Sequence, residues 1–529
     1  MPTPLLFFNG TIRTLDPKIP ETNVLFCDEY GKIGFAGSLT DVGTIPPGTK
    51  RVDLAGRTLI PGFNDAHVHV WKLGLLLTIQ VDARGAAAPS IEAIIARFRE
   101  RSETVPAGTW LLGRGYNEAA LPEQRHPTAA DLDRAAPDHP IALTRTCGHM
   151  IVANTLALKL ANITAETPDP PGGVIVRDES GNPTGLLQET AMGLISRAVP
   201  DLDPNIMGAA IRAANYHQLR LGITSATDPL LMPSHLSVYR ELDEGGDLAV
   251  RINGLPIRRP DGGTETLPLP QKHLSDTLRV DTVKFFADGG LSGATAAISQ
   301  PFKITGTHGV LRFTDDELFE LMFEAHVNDF RIATHAIGDV ALEQVISTYE
   351  KLHKAHPSPL RHRIEHLGLP AAGHLERCKA MNIIAVPQTV FLPALGDTYR
   401  RYLPDEFFPS CYPVRSMLDA GLTVALSSDA PVVPDDNPLL GMKAALDRLD
   451  PFGEPIAPEQ AITPYEALYA YTMGGAIASG DADNRGSLTP GKWADLAVLS
   501  ADPLTTPPEE LTSITADETY VGGVLVYER

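Results

Sequence analysis

Two histidines one residue apart, His67 and His69 in PGFNDAHVHV, begin a series of side chains suited to binding metal. Strand alternation turns both imidazoles to one face, where they can chelate a single borderline cation. Gly62 and Asp65 just upstream place the pair at a strand end. Lys284 in TVKFFADGG, His335 in RIATHAIGD, His366 in RIEHLGLP and Asp429 in VALSSDAP continue the series. Each lies at or just after the end of a short apolar, β-branched run. Together the six read as the ligands of one two-metal site, whose chemistry would be attack of metal-activated water on a polarised bond.

Lys284 is the unusual member, because an ammonium has no lone pair and repels cations. Carbamylation by carbon dioxide would give it two anionic oxygens, able to bridge metals about 3.5–4 Å apart. Pairing with Asp288 or binding of substrate are the other readings, since a lysine buried in VKFF needs some compensation. Asp429 suits a general base that holds the proton of water and later delivers it to the leaving group. Its place before Ala-Pro also suits a helix N-cap, and the two roles are compatible. His126, His217, His326, His353 and His356 sit in helical or polar loop contexts and read as solvated or structural.

Residues hundreds of positions apart meet where a parallel barrel gathers the C-terminal ends of its strands. Strands are expected near 58–66, 222–228, 250–257, 281–287, 330–336, 361–367, 382–388 and 422–428, enough for an α/β (β/α)8 TIM barrel over 61–484. DDELFELMFEAHVNDF and VALEQVISTYEKLHKAH have the apolar spacing of the helices between them. About 155 residues separate the first strand from the second, too many for a βα loop. Segments such as TWLLGRGY and PIALTRTCG within that stretch predict an inserted α+β subdomain at 71–215, over the barrel mouth. Both chain ends are strand-rich and free of candidate chemistry. Residues 1–60 and 485–529 are therefore expected to build one small composite β-sandwich.

Composition narrows the function classes. Hydrophobic residues make up 43% and charged residues 21%, ordinary for a globular protein with a sizeable core. A formal charge of −21 without a basic stripe argues against nucleic acid or an anionic membrane as partner. Cys27, Cys147, Cys378 and Cys411 lack CxxC spacing, so neither a disulfide framework nor a thiolate zinc site is expected. The opening MPTPLLFFNGTIRTLD has no basic n-region, and no stretch approaches the roughly 18 apolar residues of a membrane span. A cytoplasmic location is expected.

As an ensemble the motifs resemble the metal-dependent amidohydrolase superfamily, and more narrowly its YtcJ-like branch. The likeness spans essentially the whole chain, from PGFNDAHVH through VKFFADG, HAIGD, IEHLG and SSDAP to GSLTPGKWADLAVL. It implies a (β/α)8 barrel with a composite β-sandwich, and hydrolysis of a carbon–nitrogen bond in an amide-type small molecule, an N-substituted formamide or N-acyl compound among them. It implies further that His67 and His69 bind the more buried metal and His335 and His366 the more exposed one. Lys284 would bridge them as a carbamate, and Asp429 would be ligand and acid/base. Two Zn2+ suit the histidine-rich set, which also accommodates iron or manganese.

In the insertion, the resemblance suggests that His149 polarises the substrate carbonyl and that Glu189 in GLLQETA points into the site. Tyr116 in GRGYNE, a further candidate for substrate binding, and Asn117 replace the Trp-Asp frequent in the branch. Cys147 stands where many relatives have Asp. These departures bear on substrate identity. A mononuclear deaminase or cyclic-amide hydrolase on the same fold remains an alternative, as does a non-catalytic binding protein. Assembly as a homo-oligomer is left open.

Overall fold

The computed structural model describes residues 1–146, 148–260 and 265–529, so Cys147 lies outside the described residues. Eight short strands occupy its centre: β1 (Phe63–Asp65), β2 (Ile223–Leu231), β3 (Arg251–Pro256), β4 (Thr282–Phe286), β5 (Arg331–Ala336), β6 (Arg363–His366), β7 (Ile384–Val386) and β8 (Thr423–Val424). Paired neighbours run parallel, and β3 and β5 are buried at every residue. Sheets covered on both faces read as near-continuous apolar runs, which is why these segments were visible without alternation. Helices Pro204–Arg220, Asp315–Val327, Asp339–Ala355 and Pro438–Asp447 pack their apolar stripes outside. The arrangement is a TIM-barrel-type α/β fold.

The expected closed ring of eight is not what the ladders form. They make two five-stranded sheets, one ending in β3, β2 and β1, the other running β4-β5-β6-β7-β8. At one seam the short strand Leu278–Val280 pairs with β3, while β4 pairs with β5 and meets the end of β3 only at the Ile257–Lys284 bridge. Asp281 stands at the break, its carboxylate bound by Arg279 and Arg331 at 2.7 Å each. At the other seam β8 covers two residues rather than the predicted 422–428. Ser428 instead donates its amide and hydroxyl to Asp65, and the Asp429 amide donates to the His67 carbonyl at 2.7 Å. Side chains and loop backbone thus join β1 to the end of the chain's eighth segment where a ladder was expected.

The predicted first strand, 58–66, is also two strands. Thr58–Pro61 pairs with Thr11–Asp16 and Leu496–Leu499, and only β1 joins β2. Gly62 makes the change of sheet. A Cβ there would stand 2.2 Å from the Thr224 hydroxyl oxygen, so the crossing requires glycine. Thr58–Pro61 sits in a six-stranded sheet built from both ends of the chain. That sheet shares a core with a four-stranded sheet, where Phe7 meets Tyr520 edge-to-face at 5.2 Å between centroids.

A third unit lies between β1 and β2 in sequence. Its six strands run in the order Gly173–Arg177, Pro183–Glu189, Met150–Ala153, Ile141–Arg145, Leu111–Tyr116 and Val81–Asp82. It has apolar clusters of its own. Thr146 donates its hydroxyl to the Val432 carbonyl at 2.8 Å, which ties this unit to the segment just after Asp429.

Candidate metal centre

Following β1, the chain carries His67 and His69 into the cavity above the central strands, and both are nearly fully buried. The Nε2 atoms of His67 and His69 lie 3.3 and 3.2 Å from one atom, Oδ1 of Asp429. That oxygen is buried and accepts no hydrogen bond of proper geometry. One donor atom each from His67, His366 and Asp429 falls within 4.8 Å of the others. Lone pairs converging on one buried point suit a cation better than they suit one another.

The outer nitrogens are held in ways that turn the inner ones toward this point. His67 donates Nδ1–H to the Glu365 carboxylate, His69 donates Nδ1–H to the Pro229 carbonyl at 3.2 Å, and His366 donates Nδ1–H to Gln388 Oε1. Gln388 is itself oriented, since its amide donates to the Val386 carbonyl and the Ser427 hydroxyl at 2.9 Å each. Glu365 is oriented by Arg363, which also donates to the Ala66 carbonyl. Such backing fixes the tautomer and raises the basicity of a ligating imidazole. Both His366 (φ 73°) and Asp429 (φ 56°) occupy the left-handed region that non-glycine residues rarely adopt. Backbone strain of this kind persists where surrounding structure enforces it, often at functional sites.

The electrostatics follow from burial and close packing. Burial alone would raise the Asp429 carboxyl, but His67 and His69 outweigh it and hold Asp429 well below the usual carboxylate range. His67 goes the other way: burial lowers it, yet Asp429 and Glu365 carry it above the ordinary imidazole value. Any cation held by His67 must displace that proton. His69 is lowered to about 3 by burial and then by Lys72. Burial followed by Lys284 lowers His335, and burial followed by His335 lowers His366. Lys284 is fully buried, its Nζ 4.7 Å from the centroid of the Phe286 ring.

His335 stands next to the cluster, its ring centroid 4.4 Å from that of His366, but its Nε2 faces the Gly289 carbonyl at 3.0 Å. Asp288, the alternative partner considered for Lys284, instead accepts the amides of Ala297, Ile337 and Gly338. Burial outweighs those donors and moves its carboxyl up to about 6.

From the insertion, His149 reaches the cavity, and its Nδ1 is 3.1 Å from Glu189 Oε2. Tyr116 does not reach it. Its ring is buried in the insertion's apolar cluster and its hydroxyl pairs with His126 Nδ1 at 2.9 Å. A register shift between Arg114 and Tyr116, at Gly115 (φ 102°), breaks the strand alternation, so Arg114 lines the cavity while Tyr116 packs the insertion. The cavity measures about 90 Å³, and Leu230, Phe391, Leu395 and Tyr399 supply part of its apolar wall.

Glu365, Gln388 and the Asp65–Ser428 pair were not anticipated. RIEH did offer a signal for the first: two charged residues inside a fully buried strand demand partners, and Arg363 and Glu365 are two apart on one face. Gln388 offered none, because its partner His366 lies on a different strand.

A model described as "Amidohydrolase family" matches residues 50–527. The chain is 33% identical over 494 residues to the putative amidohydrolase YtcJ of Bacillus subtilis (strain 168), covering 91% of each protein. It is 30% identical over 543 residues to the N-substituted formamide deformylase of Arthrobacter pascens, covering 99% of this chain and 98% of that one. Among solved structures, an uncharacterized metal-dependent hydrolase from Pyrococcus horikoshii OT3 is similar with a TM-score of 0.77 and 26% identity, over 96% of this chain and 99% of that one.

Proposed function

The chain belongs to the amidohydrolase family, in its YtcJ-like branch, and from that premise we propose that it cleaves amide bonds of the N-substituted formamide or N-acyl type at the His67–His366–Asp429 cluster. It is a hydrolase acting on carbon–nitrogen bonds, with a divalent metal and a small-molecule substrate. The observation that carries the finer reading is the convergence of His67 Nε2 and His69 Nε2 on the buried Asp429 Oδ1.

In this reading His67 and His69 would hold one cation and His335 and His366 a second, with a carbamylated Lys284 as a further ligand. Zinc suits so many imidazole donors. Bound divalent cations supply Lewis acidity, which brings the pKa of water toward about 7 and polarises a carbonyl. Asp429 accepts a proton from water as the water oxygen attacks the carbonyl carbon. It then delivers that proton to the leaving nitrogen as the carbon–nitrogen bond breaks. Held well below the usual carboxylate range by His67 and His69, Asp429 is ionised throughout the neutral region. With Nδ1 turned to Glu189, His149 presents Nε2 to the cavity, where an Nε2–H would donate to the substrate oxygen as charge develops there. The apolar wall at Leu230 and Phe391 excludes competing water. The division of the chain into a composite terminal sandwich, a central catalytic unit and a recognition insertion at 71–215 belongs to the same proposal.

One observation favours a mononuclear variant of this reading, in which Lys284 remains an unmodified lysine. His335 Nε2 is engaged by the Gly289 carbonyl at 3.0 Å rather than turned to the cluster. Elemental analysis of the purified protein separates the two. Two metal equivalents per chain, with a carbamate on Lys284 in intact density or mass, support the bridged site. One equivalent and a bare lysine support the variant.

A further inference from the structure

The part of the cavity wall contributed after β7 is apolar except for two phenols. Phe391, Leu395 and Tyr399 line the cavity from the helix Phe391–Tyr402, where a spacing of four residues puts all three on one face. Tyr412 joins them from further along the chain, and neither phenol is more than 2% exposed. The rings form a chain outward from the metal cluster. Phe391 stacks on His366 with centroids 6.1 Å apart, Tyr412 meets Phe391 edge-on at 5.8 Å, and Tyr399 stacks on Tyr412 at 6.2 Å. The two phenols therefore face the arm of a bound amide rather than its scissile bond.

Tyr412 is held there against its own backbone preference. Its φ of 49° lies in the left-handed region, a conformation that persists where surrounding structure enforces it. Its amide donates to the Gly368 carbonyl at 2.8 Å. Arg448, fully buried, donates from Nη1 to the Tyr412 carbonyl at 3.1 Å and from Nη2 to the Cys411 carbonyl at 2.8 Å. Its Nε is taken by the carbonyls of Ile456 and Ala457.

The pair of phenols has one proton more than it can use. The hydroxyls of Tyr399 and Tyr412 adjoin, and that of Tyr412 is buried without a protein partner of proper geometry. Each phenol has a single proton to donate, so one bond between the two oxygens leaves the second O–H to a third partner. Burial holds both phenols well above their usual range, and they stay protonated donors. A substrate arm that displaces water from this wall must return an acceptor or leave a buried donor unpaired. None of Phe391, Leu395, Tyr399 and Tyr412 is cationic, so a neutral acceptor suits the wall better than a carboxylate.

We propose that Tyr399 and Tyr412 are specificity-determining residues. They select amides whose larger arm carries a neutral hydrogen-bond acceptor, an ether or hydroxyl oxygen, over amides with a purely hydrocarbon arm. This rests on the hydrolase reading above and narrows it.

N-pentylformamide and three compounds in which oxygen replaces one carbon of its chain test it. N-(2-ethoxyethyl)formamide, N-(3-methoxypropyl)formamide and N-(4-hydroxybutyl)formamide place the acceptor at successive distances from the amide. The best of the three exceeds N-pentylformamide in kcat/KM by about tenfold or more, mostly through KM, against the hydrophobic trend that favours the hydrocarbon. In protein carrying both Tyr399→Phe and Tyr412→Phe, which keeps the two rings, the order reverses and N-pentylformamide becomes the better substrate. Each ratio is taken within one protein, so a loss of folded enzyme in the variant cancels. Wild-type kcat/KM for all three at or below that of N-pentylformamide overturns the proposal, as does a preference for the oxygen compound that survives in the double variant. If metal-loaded protein hydrolyses none of the four, the hydrolase reading fails on turnover. Calorimetric binding of the same compounds to both proteins then decides the tyrosine reading by the same ratios, and binding of none of them overturns it.

Discussion

Asp429 draws its character from its neighbours. Nε2 of His67 and His69 sit close to one of its oxygens, and a left-handed backbone keeps it aimed there. The ligand candidates were legible because each ends an apolar run in a distinct motif. The residues behind them were less so, since Gln388 and Glu365 acquire meaning only when β6, β7 and β1 lie side by side. Tyr116 illustrates the opposite error, a motif position whose side chain the strand turns into the insertion's core. Gln388 permits a direct check. Gln388→Leu removes the acceptor that fixes His366, and metal affinity measured by competition with a chelator falls about 10–100-fold. Unchanged affinity would show that His366 needs no such support.

At the level of elements, the crossing at Gly62 and the buried His326–His362 pair just before β6 carry separate consequences. Gly62→Ala drives a methyl against Thr224, where the glycine passes from the terminal sheet to β1. Overpacking of this sort costs about 1–3 kcal/mol, read as a lower denaturation midpoint at constant m-value. Just before β6, His362 accepts the Ile332 amide at Nδ1 and donates Nε2–H to His326 Nδ1 at 3.0 Å, and His326 donates to the His356 carbonyl at 2.7 Å. Burial first, then the charges of His326, His353 and Arg331, lowers His362 to about 3.

The sign of the pH effect follows. Above about pH 6.5 the residue is neutral both folded and unfolded. Below that the unfolded chain takes up a proton that the folded one refuses until about pH 3. Stability therefore falls with acidification through this window, with this group contributing up to about 1.4 kcal/mol per pH unit. Denaturation of His362→Asn across the window gives a shallower acid slope, and an identical slope would contradict the assignment.

Across the whole molecule, the alternation of apolar runs with helical spacing made the TIM-barrel-type α/β fold readable. The absence of a closing ladder was not readable, because what joins β1 to the segment after β8 is a contact between residues more than 350 positions apart, the Asp65 side chain and Ser428. The ends of the chain are bound to the centre by a buried pair, Arg251 with Asp495 at 2.7 Å. The site thus rests on contributions from nearly every part of the sequence, and its chemistry depends on one dispensable-looking addition, the metal. The decisive measurement is amide hydrolysis by the wild type and Asp429→Asn after complete chelation and stepwise return of zinc. Activity of the wild type falls to background and returns in proportion to metal bound, while Asp429→Asn rebinds metal yet stays lower by about 10²–10⁴-fold. Hydrolysis that survives complete metal removal, or full turnover by Asp429→Asn, would contradict the account.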